Sequence, residues 1–196
     1  MILRITQEPP VEPVSLDQAK AHLRITHDEE DDLIGFCIKT ARSYAENVLT
    51  WRSFVEREWE LTLASFSGIR LLRPPVRDVL EVKWKSADGL WNVLSPSGYV
   101  FDETGRIEPA PGTVWPQAPY PVGAVTVSYR AGYPKEEGDP DDYRANIPAE
   151  IIQAVLLLTA HFYEMRDPTV IGNVVQMVPF SVEALLLPYR AWGASR

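Results

Sequence analysis

His161 and Glu164 stand three residues apart in the stretch Ile147–Asp167, IPAEIIQAVLLLTAHFYEMRD. On a helix that spacing puts both side chains on one face, where they could offer two ligands to a metal. A metal centre needs more ligands, and the sequence has neither H-E-x-x-H nor a repeated E-x-x-H. The two residues therefore read as part of a polar stripe on an otherwise apolar helix. Asp28 to Asp32 are consecutive acids. Neighbouring residues point in different directions, unlike the alternating ligands of a calcium loop, so the run reads as a solvated helix start. Residues 136–142 form a second acidic stretch. Arg70, Arg73 and Arg77 flank Pro74-Pro75 and read as a solvated cluster at a strand end, with contact to an acidic partner or DNA as the sharper reading. The sequence has no G-x-S-x-G elbow, Walker loop or G-x-G-x-x-G turn. The single cysteine, Cys37, excludes an intramolecular disulfide and a multi-thiolate metal site, and its apolar neighbours mark it as buried. No catalytic, cofactor or metal-binding residue is assigned.

The elements that carry these residues follow from periodicity. Residues 1–14, with Pro9, Pro10 and Pro13, read as an extended arm. Ser15 and Gln18 form an S-x-x-Q capping box at the start of a short helix. The acidic run starts a second helix, with Leu33, Cys37, Ala41, Tyr44 and Val48 on its apolar side, ending near Leu49 or Thr50. After Trp51 the period falls to two. Strands are expected within 54–64, 69–72, 76–85, 90–94, 99–101, 105–108 and 122–129, with a hairpin turn at Asp88-Gly89. The stretch 147–167 is a helix apolar over most of its circumference, buried on more than one side. It is too short and too often interrupted by polar residues to span a membrane. Residues 169–180 show no clear period and read as a mobile or partner-ordered loop. A last short helix, SVEALLLPYR, leads to Trp192.

The fold class expected is α+β, one unit over 1–196. A helical bundle comes from 1–51 and 147–196, and 52–133 is an inserted antiparallel sheet or small sandwich. A net charge of −8 argues against gripping nucleic acid phosphates. The N-terminus carries no signal-peptide pattern, which with the lone cysteine points to a reducing cytoplasm. Leu185, Leu186, Leu187, Tyr189, Arg190 and Trp192 put apolar and aromatic side chains where a chain end would otherwise fray. Such a segment docks, either on its own domain or on another chain.

The order of these pieces resembles the head–tail connector (adaptor, or head-completion) proteins of tailed bacteriophages and gene transfer agents. The resemblance rests on PVSLDQAKAHLRI at 13–25, DEEDDLIGFCIKTARSYAENVLT at 28–50, EREWELTL at 56–63 and LLRPPVRDVLEVKW at 71–84. It continues through VTVSYRAGYP at 125–134, the helix at 147–167 and LLLPYR at 185–190. It implies no enzymatic activity and no cofactor. It implies a virion protein made in the host cytoplasm, a ring of copies matching the twelvefold portal at the capsid vertex. Stopper or tail-terminator proteins would dock on its other side, and double-stranded DNA would pass through without specific binding. The portal-facing segment would be about 181–196, with Leu185, Leu186, Leu187, Tyr189, Arg190 and Trp192 at the portal or subunit interface. Two readings compete with it. One is a small cytoplasmic metal- or ligand-binding enzyme domain using His161, Glu164 and the acidic loop 136–142. The other is a different virion part, a stopper or tail terminator.

Overall fold

The computed structural model, which describes residues 1–118, 122–165 and 180–191, begins with a strand in place of a free arm. Strand β1 (Ile2–Gln7) pairs antiparallel with β2 (Arg57–Leu63), setting Leu3 opposite Leu61 and Ile5 opposite Trp59. The prolines that pointed to an arm all follow the strand, so they end it without removing any of its hydrogen bonds.

Helix α1 (Leu16–Leu23) starts as expected. Ser15 Oγ accepts from the Gln18 N–H at 3.1 Å, and Gln18 Oε1 accepts from the Ser15 N–H at 2.9 Å. It stops at Arg24, whose left-handed φ of 59° turns the chain out of the helix. In helix α2 (Asp31–Tyr44), Asp31 and Asp32 lie in the first turn, where the helix dipole favours carboxylates. The acidic run also joins the two helices, because Lys20 Nζ donates to Asp28 at 2.6 Å and to Asp31 at 2.7 Å. These bonds, the one to Asp28 foremost, hold the Lys20 ammonium above its ordinary pKa.

Helix α2 does not keep its period to the end. Residues Ala45–Thr50 form a π-helical turn, and Thr50 Oγ1 donates back to the Ala45 carbonyl at 2.8 Å. The wider turn shifts the buried face. Ile34, Cys37, Ile38, Ala41 and Ala45 are inside, whereas Val48, expected on that face, is 51% exposed and Glu46 is 1% exposed.

The remaining strands are β3 (Val76–Lys85), β4 (Trp91–Val93), β5 (Tyr99–Phe101), β6 (Ile107–Pro109) and β7 (Val125–Ala131). A five-stranded antiparallel sheet runs β1-β2-β7-β3-β4, and β5-β6 form a separate pair. The sheet thus takes its first strand from before the helices. Alternation sets its faces: Val125, Val127, Tyr129 and Ala131 point into the core opposite Leu63, Leu61, Trp59 and Arg57. The β3–β4 hairpin closes at Asp88-Gly89, where Gly89 has φ 83°. Just past β7, Gly132 has φ 135°, and a Cβ there would lie 2.5 Å from the Glu56 nitrogen, so the chain crossing needs glycine.

Helix α3 (Ala149–Glu164) is the centre of a second core. Its Ile151, Ala154, Val155 and Leu158 are fully buried against Ile34, Ile38 and Ala41 of α2, Val182 and Leu186 of α4 (Phe180–Leu186), and Phe54 and Val55. Helices, not the sheet, cover α3: the sheet residues form their own cluster around Tyr129, Leu61 and Val127. The fold is α+β, with four α-helices among the described residues joined to an antiparallel sheet. Among the described residues no helix is long and apolar enough to cross a membrane.

Candidate assembly surface

The C-terminal segment docks on its own chain. A 3-10 turn at Leu187–Tyr189 follows α4. Leu186 is 1% exposed and, with Val182, fills the helical core, and Leu185 packs at its margin. Tyr189 is held at both ends: its hydroxyl donates to Glu150 Oε2 at 2.9 Å, and its carbonyl accepts from Arg52 Nε. The Ala191 N–H then donates to the Thr50 carbonyl at 2.8 Å. Leu187 (57% exposed) and Arg190 face outward. Trp192 and the expected loop over 169–179 lie outside the described residues.

The outward groups do not stand alone. Val48 and Leu49 of the π turn line a shallow groove with Glu183, Leu187 and Arg190. Val48 continues along α2 to Tyr44 and Phe36, the latter 68% exposed. The π turn is the cause, because it rotates Val48 out of the core and toward Leu187. The result is an apolar strip bordered by charge, the kind of surface that meets another protein.

The Tyr189–Glu150 bond gives the docked segment a pH dependence. The Glu150 carboxyl sits below its ordinary pKa, first because of the free backbone N–H at the start of α3 and second because of the Tyr189 hydroxyl. A depressed carboxylate contributes stability above its unfolded pKa and loses it as pH falls through the folded one. Tyr189→Phe should therefore lower the melting temperature slightly at pH near 7, and the gap to the wild type should close in acid once Glu150 is protonated. Thermal melts of both proteins across the acid range check this.

The residues first suspected of chemistry are dispersed. His161 is half-buried, edge-on to Phe162 with ring centroids 5.7 Å apart, and Glu164 is exposed at the end of α3. The acidic loop is tied to itself: Glu136 and Asp142 exchange backbone hydrogen bonds at 2.8 and 2.9 Å, and Lys135 pairs with Asp141. Among the described residues no group of three or more His, Cys, Asp and Glu side chains is placed to hold a metal ion. Glu164→Ala should leave the unfolding free energy within about 0.5 kcal/mol of wild type, as for most exposed substitutions, measurable by urea titration.

The arginine cluster is not uniformly solvated. Arg73 is 8% exposed, with φ 66°. Its Nη1 donates to the Glu46 carbonyl at 2.8 Å, and its guanidinium lies 4.8 Å from the Trp51 ring and 5.7 Å from the Trp59 ring. Burial lowers its pKa, partly offset by Glu46. Pro74-Pro75 turns the chain inward beside Trp51 and Trp59, a long-range packing that local charge could not foretell. Of the three arginines, Arg70 is exposed and Arg77 half-buried.

Arg73 borders a charge network with Glu46 at its centre. Glu46 Oε1 accepts from the Phe54 N–H at 2.7 Å. Its Oε2 accepts from Arg42 Nη1 at 2.9 Å and from Arg57 Nη2. Arg42 in turn forks onto Glu12 at 2.6 and 3.2 Å, while Arg57 and Trp59 share Ser53 Oγ. Burial disfavours the Arg42 cation, but the Glu12 hydrogen bond and the Glu46 charge outweigh it and raise the pKa. Three fixed donors reach the two Glu46 oxygens, so the group acts as a brace linking α2, the N-terminal segment and β2. Sequence periodicity missed it because an unbroken 3.6-residue period puts Glu46 on the solvent side; Arg42 and Glu46 at i, i+4 were the available signal.

Comparison with known proteins fits this architecture. Residues 13–61, which hold α1, α2, the π turn and most of β2, match the family model of phage gp6-like head-tail connector proteins. The fold extends the likeness to nearly the whole chain. It superposes on a chain in the neck of an empty gene transfer agent particle computed with C6 symmetry, with TM-score 0.77 and 24% identity over 97% of this chain and 95% of that one. A chain in the virion of a native gene transfer agent particle gives TM-score 0.76 at 23% identity, with the same coverage. One in the neck of a native particle computed with C12 symmetry gives 0.72 at 24%, again covering 97% and 95%. At these identities the three structures share the fold with this chain. No match is found among curated proteins.

Proposed function

We propose that the chain is a structural virion protein, the adaptor that forms a ring at the head–tail junction between the portal and the stopper or tail proteins. The observation that carries this is the likeness of fold over 97% of the chain to a protein of a gene transfer agent neck. The connector family model over residues 13–61 points the same way. The role is mechanical, not enzymatic. Twelve copies match the portal; each presents the groove around Val48, Leu187 and Arg190 to a neighbour or to the portal, with Leu185 and Tyr189 seating that segment and Leu186 anchoring it. The portal side is the segment from Ser181 onward. The net charge of −8 suits a channel through which DNA slides without adhering, since phosphate contacts would slow it. Deleting the gene from a particle-producing host tests the assignment: DNA-filled heads lacking tails are expected, and fully tailed particles would overturn it.

A further inference from the structure

Near the junction of helices and sheet lies an open cleft of about 420 Å³ lined by Arg52, Arg70, Arg190, Pro74 and Pro188, with Glu103 the one acid on its wall. In a chain of net charge −8 this is a local concentration of positive charge. Its shape is fixed from both sides, because Arg52 holds the Tyr189 carbonyl and the Ala191 N–H is bound to Thr50.

The same chain carries a matching knob. The hairpin 135–142 is closed by the paired backbone bonds between Glu136 and Asp142, and Asp141 Oδ1 accepts from the Gly138 N–H at 3.2 Å. This preformed tip exposes Glu136, Glu137 and Asp139. None of residues 135–142 lines the cleft. Lys135 of the hairpin shares a hollow with Gln7, Glu8 and Glu58, toward the β1 edge of the sheet. The cleft abuts Pro74-Pro75, which lead into β3. Two distinct complementary patches make a heterologous contact, which closes into a ring when the rotation per copy divides a full turn.

We infer that the cleft of Arg52, Arg70 and Arg190 is a docking site for the acidic hairpin 136–142 of a second copy of this chain. The inference rests on the ring reading proposed above and identifies the surfaces that would join the copies. Because the hairpin is already ordered, binding it costs little conformational entropy. Opposed charges set register and speed association, and the contact weakens with salt.

Charge reversal tests this. Glu136→Arg with Glu137→Arg, and separately Arg70→Glu, are made in the full chain; all three side chains are exposed, and circular dichroism confirms folding. Self-association is followed by analytical ultracentrifugation and by electron microscopy with portal present. Each reversal should weaken ring assembly at least about tenfold, and mixing the two reversed proteins should restore it, because in an alternating ring each junction is either charge-swapped or wild-type. Rings that form undiminished from both variants would overturn the inference and leave the adaptor role standing. Absence of wild-type rings, alone and on portal, would overturn both. If Arg70→Glu abolishes binding of a duplex DNA probe while leaving assembly intact, the cleft is a phosphate site and the inference is wrong.

Discussion

Glu46→Ala should destabilise the protein by about 3–5 kcal/mol, read as the loss of unfolding free energy in urea, although the residue touches no proposed interface. The cost comes from what is left behind. Glu46 is 1% exposed, and its removal leaves the guanidiniums of Arg42 and Arg57 and the Phe54 N–H without their acceptor. Arg42 retains Glu12, but Arg57 is left with Ser53 and a Glu8 carboxylate 3.9 Å away whose side chain is 65% exposed. The double change Glu46→Ala with Arg57→Met should cost less than the sum of the single ones, because it removes a stranded charge with its partner. Additive losses would show that Glu46 and Arg57 do not act as a unit.

Leu158→Asp should go further and prevent folding. Leu158 is fully buried at the centre of the α3 cluster. Truncating such a leucine alone costs about 2–5 kcal/mol, and an unpaired buried carboxylate adds several more. Domains of this size have about 5–15 kcal/mol to lose. The expected result is loss of near-ultraviolet circular dichroism and of the cooperative melt. A native spectrum would mean that α3 is not the centre of the core.

Much of this architecture could be read from local pattern. The Ser15–Gln18 capping box, the alternation in β2 and β7, the turn at Asp88-Gly89 and the apolar helix α3 all formed as their residues required, whereas two register shifts break the alternation of β3. What stayed hidden depends on distant partners. Strand β1 is an edge strand whose existence rests on β2, more than fifty residues on. Arg73 reads as a surface charge until Trp51 and Trp59 close around it. The π turn at Ala45–Thr50 leaves no local mark, yet it exchanges Glu46 and Val48 between core and surface, and so makes both the brace and the groove. Docking of the terminal segment was legible in its leucines and Tyr189; that it docks on Glu150 and Arg52 of its own chain was not, because those contacts span 39 and 137 residues.

The adaptor assignment is tested most directly by cryo-electron microscopy of the purified chain mixed with its cognate portal. The expected particle is a ring of twelve copies seated on the portal, with the segment after Ser181 against it and the channel open. A chain that stays monomeric and never joins the portal at any concentration would contradict it.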